Sequence, residues 1–280
     1  MRVHGKVVAF CALAVSVSEC SAFATPKASP AFLGKTQRDM YSKADADMAP
    51  VDALWEESSS ITVQGTTLRT CSLPVSVDKA QLMLKSEGRP LTSRVDLYHG
   101  PDYIPWKCGV YTENGLTRPV NLVVPTPLTG NTLAMQNTGF SEFPFYACAK
   151  VDAGSPRLDN FVKKLTDEGS AKLVQGGAVS TTPFDPSVES VQILLKSDTR
   201  HLKARIELLN GPNNLKQSFE VYSSNGYKRP FMAVINTPGD GNVIRIVNTA
   251  TLEYPLTATV EPYVVASADE AAEEGLTWTQ

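Results

Sequence analysis

Apart from His4, Cys11 and Cys20 near the N-terminus, two histidines, three thiols and a recurring pair of carboxylates are the side chains of this sequence that could serve as bases, nucleophiles or ligands. A hydrolytic centre needs a nucleophile held beside a base, but His99 and His201 each fall among turn residues, and no HExxH, GxSxG or Walker-type loop surrounds them. Both histidines are expected to be exposed. Cys71, Cys108 and Cys148 form an odd set without CxxC spacing, so they are expected to be reduced, buried, small apolar residues. Glu142 and Glu253 could in principle do acid/base work, but each lies two residues before a proline (Pro144, Pro255), and an ion pair with Arg118 or Arg229 is the plainer role. The Gly239-Asp240-Gly241 run hints at calcium, yet the matching stretch Leu128-Thr129-Gly130 has no acid. The expectation is therefore no catalytic residue, no cofactor and no metal site.

The elements that would carry such groups are short. The 19 prolines and 18 glycines are spread along 280 residues and punctuate the chain too often for long helices. A formal net charge of -3 provides no basic field for a phosphate backbone, which argues against a nucleic-acid partner.

Sliding the sequence by 111 positions superimposes residues 81–151 on 192–262 without a gap. The match reaches upstream to Val51 and Val162, with about 36 of 101 positions identical. Gly100-Pro101 returns as Gly211-Pro212, Asn114-Gly115 as Asn225-Gly226, Thr126-Pro127 as Thr237-Pro238, and Asn137-Thr138 as Asn248-Thr249. Most of these pairs read as turn chemistry, and Asn-Gly as a two-residue hairpin turn. Between them, apolar residues alternate: Leu82 with Leu84, Val95 with Leu97, Cys108 with Val110 and Leu133 with Met135, each set with a counterpart in the second copy. The predicted fold is all-β: two tandem homologous β-sandwich domains related by internal duplication, at residues 51–151 and 162–262. Residues 152–160 read as a linker and residues 161–168 as a short helix.

The N-terminus reads as an address. Arg2, His4 and Lys6 precede an apolar run over residues 7–17 that is too short to span a bilayer comfortably, and small residues at 20–22 follow. Residues 1–22 are thus a predicted signal peptide and 23–50 a basic, Ser-containing transit region and linker. Simple secretion with a flexible N-terminal segment is the alternative. The run Ser21-Ala22-Phe23-Ala24-Thr25-Pro26 resembles the cleavage core of bipartite presequences in algae with secondary plastids, departing at Thr25.

With chemistry unsupported, the surface remains. Tyr103, Pro105 and Trp106 stand where the second copy has Asn214, Lys216 and Gln217, so an aromatic stretch is exchanged for a polar one. Tyr103 and Trp106 are candidate interface anchors, the other role for Trp106 being to close its own sandwich. Residues 263–280 form an acidic tail ending in Leu276 and Trp278, either a hook for a neighbouring subunit or partner or a disordered tether.

The tandem β repeats, with GPDYIPW and GPNNLKQ, NGLTRPV and NGYKRPF, TPLTGN and TPGDGN, resemble the diatom pyrenoid shell proteins. The resemblance implies a self-assembling sheet around the Rubisco-containing pyrenoid, at its stromal periphery in the plastid, that supports carbon fixation by limiting CO2 leakage. Its partners would be further copies of itself, with Rubisco or other pyrenoid proteins. A plastid glycan- or protein-binding module is the alternative.

Overall fold

Short alternating strands closed by Pro, Gly and Asn turns leave the chain one way to hide its apolar residues, which is to stack sheets. The computed structural model describes residues 59–127, 130–151, 163, 165–167, 170–198 and 200–266. The first half holds β1 (Ile61–Val63), β2 (Leu68–Ser72), β3 (Lys79–Lys85), β4 (Leu91–His99), β5 (Trp106–Thr112), β6 (Val120–Pro125), β7 (Asn131–Asn137) and β8 (Phe145–Val151). The second holds β9 (Lys172–Val174), β10 (Val179–Pro183), β11 (Val188–Lys196), β12 (Leu202–Asn210), β13 (Leu215–Ser223), β14 (Phe231–Asn236), β15 (Asn242–Asn248) and β16 (Leu256–Val265). The bounds of β1, β2, β4, β6 and β7 recur 111 positions later as those of β9, β10, β12, β14 and β15.

The strands form two antiparallel eight-stranded sheets packed as a sandwich. The first sheet runs β1-β8-β3-β6-β14-β11-β16-β9, and the second β10-β15-β12-β13-β5-β4-β7-β2. In each half, one four-stranded layer (β1, β8, β3, β6) faces another (β2, β7, β4, β5), which is the strand order of an eight-stranded jelly roll. The expectation of an all-β sandwich fold holds. What the sequence did not disclose is the joint: β6 pairs with β14 and β5 with β13, so both sheets continue from one half into the other.

The alternating residues singled out in the sequence point inward and are buried. They belong to one apolar cluster that extends from Val63 to Ala258 and includes Leu82, Leu97, Cys108, Leu133, Ile193, Leu208, Phe219 and Ile246. The outer face of the first sheet, which also carries the hydrogen-bonded pair Gln81 and Asn121, holds a small apolar patch. Val123, Leu194, Met232 and Val234 point away from that core and are covered by Leu165, from a short helical turn at residues 163 and 165–167, with Tyr263 packed alongside. The helix expected over 161–168 is thus present where the structure describes it. The counterpart of Leu165 at the 111-residue offset is Leu54, which lies outside the described residues.

The recurring polar pairs act as internal clasps more than as turn formers. Asn137 is buried, and its Nδ2 donates to the carbonyls of Val63 (3.0 Å) and Phe143 (2.9 Å), while its Oδ1 accepts from the Gly139 N–H. Asn248 repeats this with Val174, Tyr254 and Ala250. The hydroxyls of Thr126 and Thr237 donate at 2.7 Å to the carbonyls of Val77 and Val188. The Asn-Gly expectation needs correction. Gly115 and Gly226 are not in the left-handed region a two-residue hairpin turn requires; they are glycine because a Cβ would press into Ser86 or Ser197. Asn114 and Asn225 accept backbone N–H groups two and three residues on, closing Asx turns.

Candidate functional site

The joint between the halves pairs positions related by the 111-residue offset. In β5–β13 the partners Gly109 and Glu220 are 111 positions apart, and in β6–β14 so are Leu122 and Ala233. Each antiparallel register is symmetric about that pair, so an approximate twofold axis passes through both sheets there. One consequence is that Trp106 sits across from Ser223 at one end of β5, and Gln217, its counterpart, across from Thr112 at the other.

Trp106 does not reach the surface. It is 0% exposed and belongs to the central core cluster, which removes it as an interface anchor. The physical reason is parity: Trp106, Cys108 and Val110 alternate along β5 and point the same way. Gln217 is equally buried and its Nε2 donates to the carbonyls of Arg118 and Pro119 at 3.4 and 3.5 Å. Tyr103 is half exposed, and its hydroxyl lies 2.9 Å from the Ser224 hydroxyl, bridging the halves at the Trp106 end. At the Gln217 end, Lys216 Nζ meets Glu113 Oε2 at 2.7 Å. Leu276 and Trp278 lie outside the described residues.

The proposed arginine pairs are not found. Arg118 makes no ion pair with Glu142, nor Arg229 with Glu253, among the described residues; Glu253 instead accepts a hydrogen bond from the Thr251 hydroxyl at 3.4 Å. Burial lowers the pKa of both guanidinium groups, with Glu113 opposing the shift at Arg118 and Tyr103 opposing it at Arg229.

Ion pairs appear elsewhere, on the outer face of the second sheet. Arg94 reaches Asp96 at 2.9 Å, and the equivalent Arg205 reaches Glu207 at 3.0 Å, with Arg245 adding a second partner to Glu207 at 2.6 Å. Sequence reasoning did not find these groups, although Arg-x-acid recurs in both copies at strand spacing. On the same face, Asp102, Ile104, Lys107, Lys203 and Tyr222 line a shallow open depression of about 410 Å³. Lys203 Nζ stands 5.9 Å from the Tyr222 ring centroid.

The candidate chemical groups stay apart. His99 and His201 are half-buried rather than exposed, the latter against the Tyr254 ring at a centroid distance of 3.9 Å. Cys108 and Cys148 are buried and Cys71 is half-buried. Burial pushes the Cys108 thiol pKa upward, with Asp96 and Glu220 adding to the effect, which is the opposite of what a nucleophile requires. Among the described residues no three His, Cys, Asp or Glu side chains gather as a metal site, and no helix is long and apolar enough to cross a membrane.

This geometry defines a class: two eight-stranded sheets in jelly-roll order, joined at a central seam, whose end strands have no further strand partner among the described residues. The chain belongs to the diatom pyrenoid shell protein family, whose model matches residues 55–262. The family places the protein in the pyrenoid of the plastid and gives it a structural role. No curated protein matches the sequence. Among solved structures, the PBSX exported protein XepA is 12% identical, with a TM-score of 0.25, covering 72% of this chain and 85% of its own. Oxalate decarboxylase from Bacillus subtilis is 9% identical, with a TM-score of 0.20 and coverages of 83% and 78%. The 11S allergen from Cocos nucifera L. is 8% identical, with a TM-score of 0.19 and coverages of 80% and 86%.

Proposed function

We propose that the mature protein assembles with copies of itself into a sheet enclosing the Rubisco-containing pyrenoid of a secondary plastid, at its stromal boundary, and supports carbon fixation by limiting CO2 leakage. Membership of the shell family over residues 55–262 carries this reading. The strand order agrees with it, since a two-sheet unit whose end strands have no further strand partner among the described residues can be tiled. The 111-residue recurrence is best understood as a tandem duplication that produced domains at 51–151 and 162–262, preceded by plastid-targeting segments. Contacts to Rubisco or other pyrenoid proteins would fall to the outer surfaces. Electron micrographs of the purified chain should show sheets or tubes, and a fluorescent fusion should form a rim around the pyrenoid. Monomers persisting at high concentration, together with a diffuse stromal signal, would overturn the reading.

A glycan- or protein-binding module is the second reading, favoured by the depression that Lys107, Lys203 and Tyr222 line. It requires a soluble monomer retained on a polysaccharide or partner column, with retention lost in Tyr222→Ala.

A further inference from the structure

Every jelly-roll half has two edges, and the fold treats them differently. The β5/β6 edge of the first half is closed by the β13/β14 edge of the second. The opposite edges lie at the two ends of the plate: β1 and β2 at one, β9 and β10 at the other. Natural edge strands are guarded by charges, prolines, bulges or brevity. Here β1 and β9 are short, at three residues each, but the five-residue β10 (VSTTP) has no charge, and its proline comes only at the last position. In β2 (LRTCS) Arg69 is the sole charge.

Apolar side chains stand in the open at both ends. Leu68 on β2 is 54% exposed, and its counterpart Val179 on β10 is 56% exposed. The loops flanking these strands hold Phe140 and Leu252, both 77% exposed, and Leu173 on β9 is 65% exposed. Gly65 and Gly176 fix these loops in place, because a Cβ at either glycine would overlap the carbonyl of Phe140 or Thr251. Each end is thus a held surface rather than a loose tip.

We propose that these ends are the growth contact of the assembly: the β1/β2 end of one copy meets the β9/β10 end of a second copy, and both sheets continue across the joint. This inference rests on the self-assembly reading above and names the surface that performs it. The seam inside each chain is its precedent, for there the same two layers are already joined edge to edge in antiparallel register. A second copy is the occupant that satisfies both layers at once, because it offers two strand edges at the matching sandwich separation; an extended peptide would satisfy only one. Since the two ends are near-equivalent but belong to different halves, the contact does not close on itself, and addition continues. Assembly through one repeated end contact should rise with protein concentration, and the concentration at which wild type first sediments is its operational threshold.

The test compares the full wild-type chain with a Leu68→Lys/Val179→Lys variant by sedimentation and electron microscopy, with circular dichroism to verify folding. Tyr227→Lys, at a 69% exposed turn residue away from the ends, serves as the control. The expected result is that wild type and Tyr227→Lys assemble, whereas the edge variant stays soluble at concentrations at least tenfold above the wild-type threshold. In a second measurement, Thr70→Cys and Thr181→Cys are combined in a Cys71→Ser background and oxidised within preformed assemblies, which should yield a ladder of disulfide-linked multimers. An edge variant that assembles at the wild-type threshold, or intact assemblies without a ladder, would overturn the contact while leaving the shell reading standing. A wild-type chain that never assembles would overturn both.

Discussion

The seam and the ends of the plate are the same kind of object, a pair of sheet edges, brought to opposite conditions. At the seam, β6 is buried along its whole length, Trp106 and Phe219 are sealed beneath the second sheet, and Gln217 binds backbone carbonyls across the boundary. At the ends, β2 and β10 expose most of their residues. The difference teaches that edge pairing alone does not hold the halves together. The seam is fixed by an apolar core that runs unbroken behind it, whereas the end strands reach that core through one buried residue apiece in β1 and β9, Val63 and Val174, and through none in β2 and β10.

The comparison breaks most decisively at Trp106. Trp106→Ala removes the largest fully buried side chain and should cost about 3–5 kcal/mol, read as a drop in the denaturant midpoint. A loss below about 1 kcal/mol would mean that the seam is not a core. Next come the clasps: Asn137→Ala and Asn248→Ala each strand two carbonyls and should cost about 1–3 kcal/mol apiece. Unequal losses would show that the halves are not equally dependent on their ends. A smaller effect of the opposite sign is expected at the β1–β2 turn. There Thr66 occupies the left-handed region (φ 64°), where its counterpart Gly177 (φ 76°) sits without strain. Thr66→Gly should stabilise by about 1 kcal/mol, seen as a raised Tm. The smallest effect belongs to the Lys216–Glu113 pair across the seam; Lys216→Ala should cost roughly 0.2–1 kcal/mol and less at high salt.

The buried thiol gives a test by pH. Because the Cys108 pKa is raised on folding, the folded chain keeps its proton where the unfolded chain loses it. The stability this contributes is fully present below the unfolded thiol pKa of about 8.5 and is lost as pH rises beyond it. Unfolding measured from pH 7 to pH 10 should show this fall, and Cys108→Ala should flatten it. Cys108 and Cys148 should also resist alkylation until the protein unfolds, while half-buried Cys71 reacts first.

Much of the strand plan was legible because period-two alternation and turn residues recur in both copies, so each copy checked the other. Leu82 with Leu84 and Leu133 with Met135 were placed inward by that pattern and are buried. Trp106 was left between an interface anchor and a residue closing its own sandwich, and it is the second, as extending the Cys108–Val110 alternation by two residues indicates. The clasping asparagines were recognised only as turn formers, since their partners, Val63 with Asn137 and Val174 with Asn248, lie 74 residues upstream. The seam was not legible at all. Nothing local distinguishes an edge strand that meets its twin from one left open, and the pairing of Gly109 with Glu220 is decided by how two finished halves fit.

The axis through Gly109/Glu220 and Leu122/Ala233 pierces both layers, so turning the molecule about it exchanges left for right but never top for bottom. The underside with its apolar patch capped by Leu165 and the upper side with the ion pairs of Arg94, Asp96, Arg205, Glu207 and Arg245 therefore keep their positions. A fabric laid from such tiles would have a right side and a wrong side, and unequal crowding on the two would give it a preferred direction in which to curl.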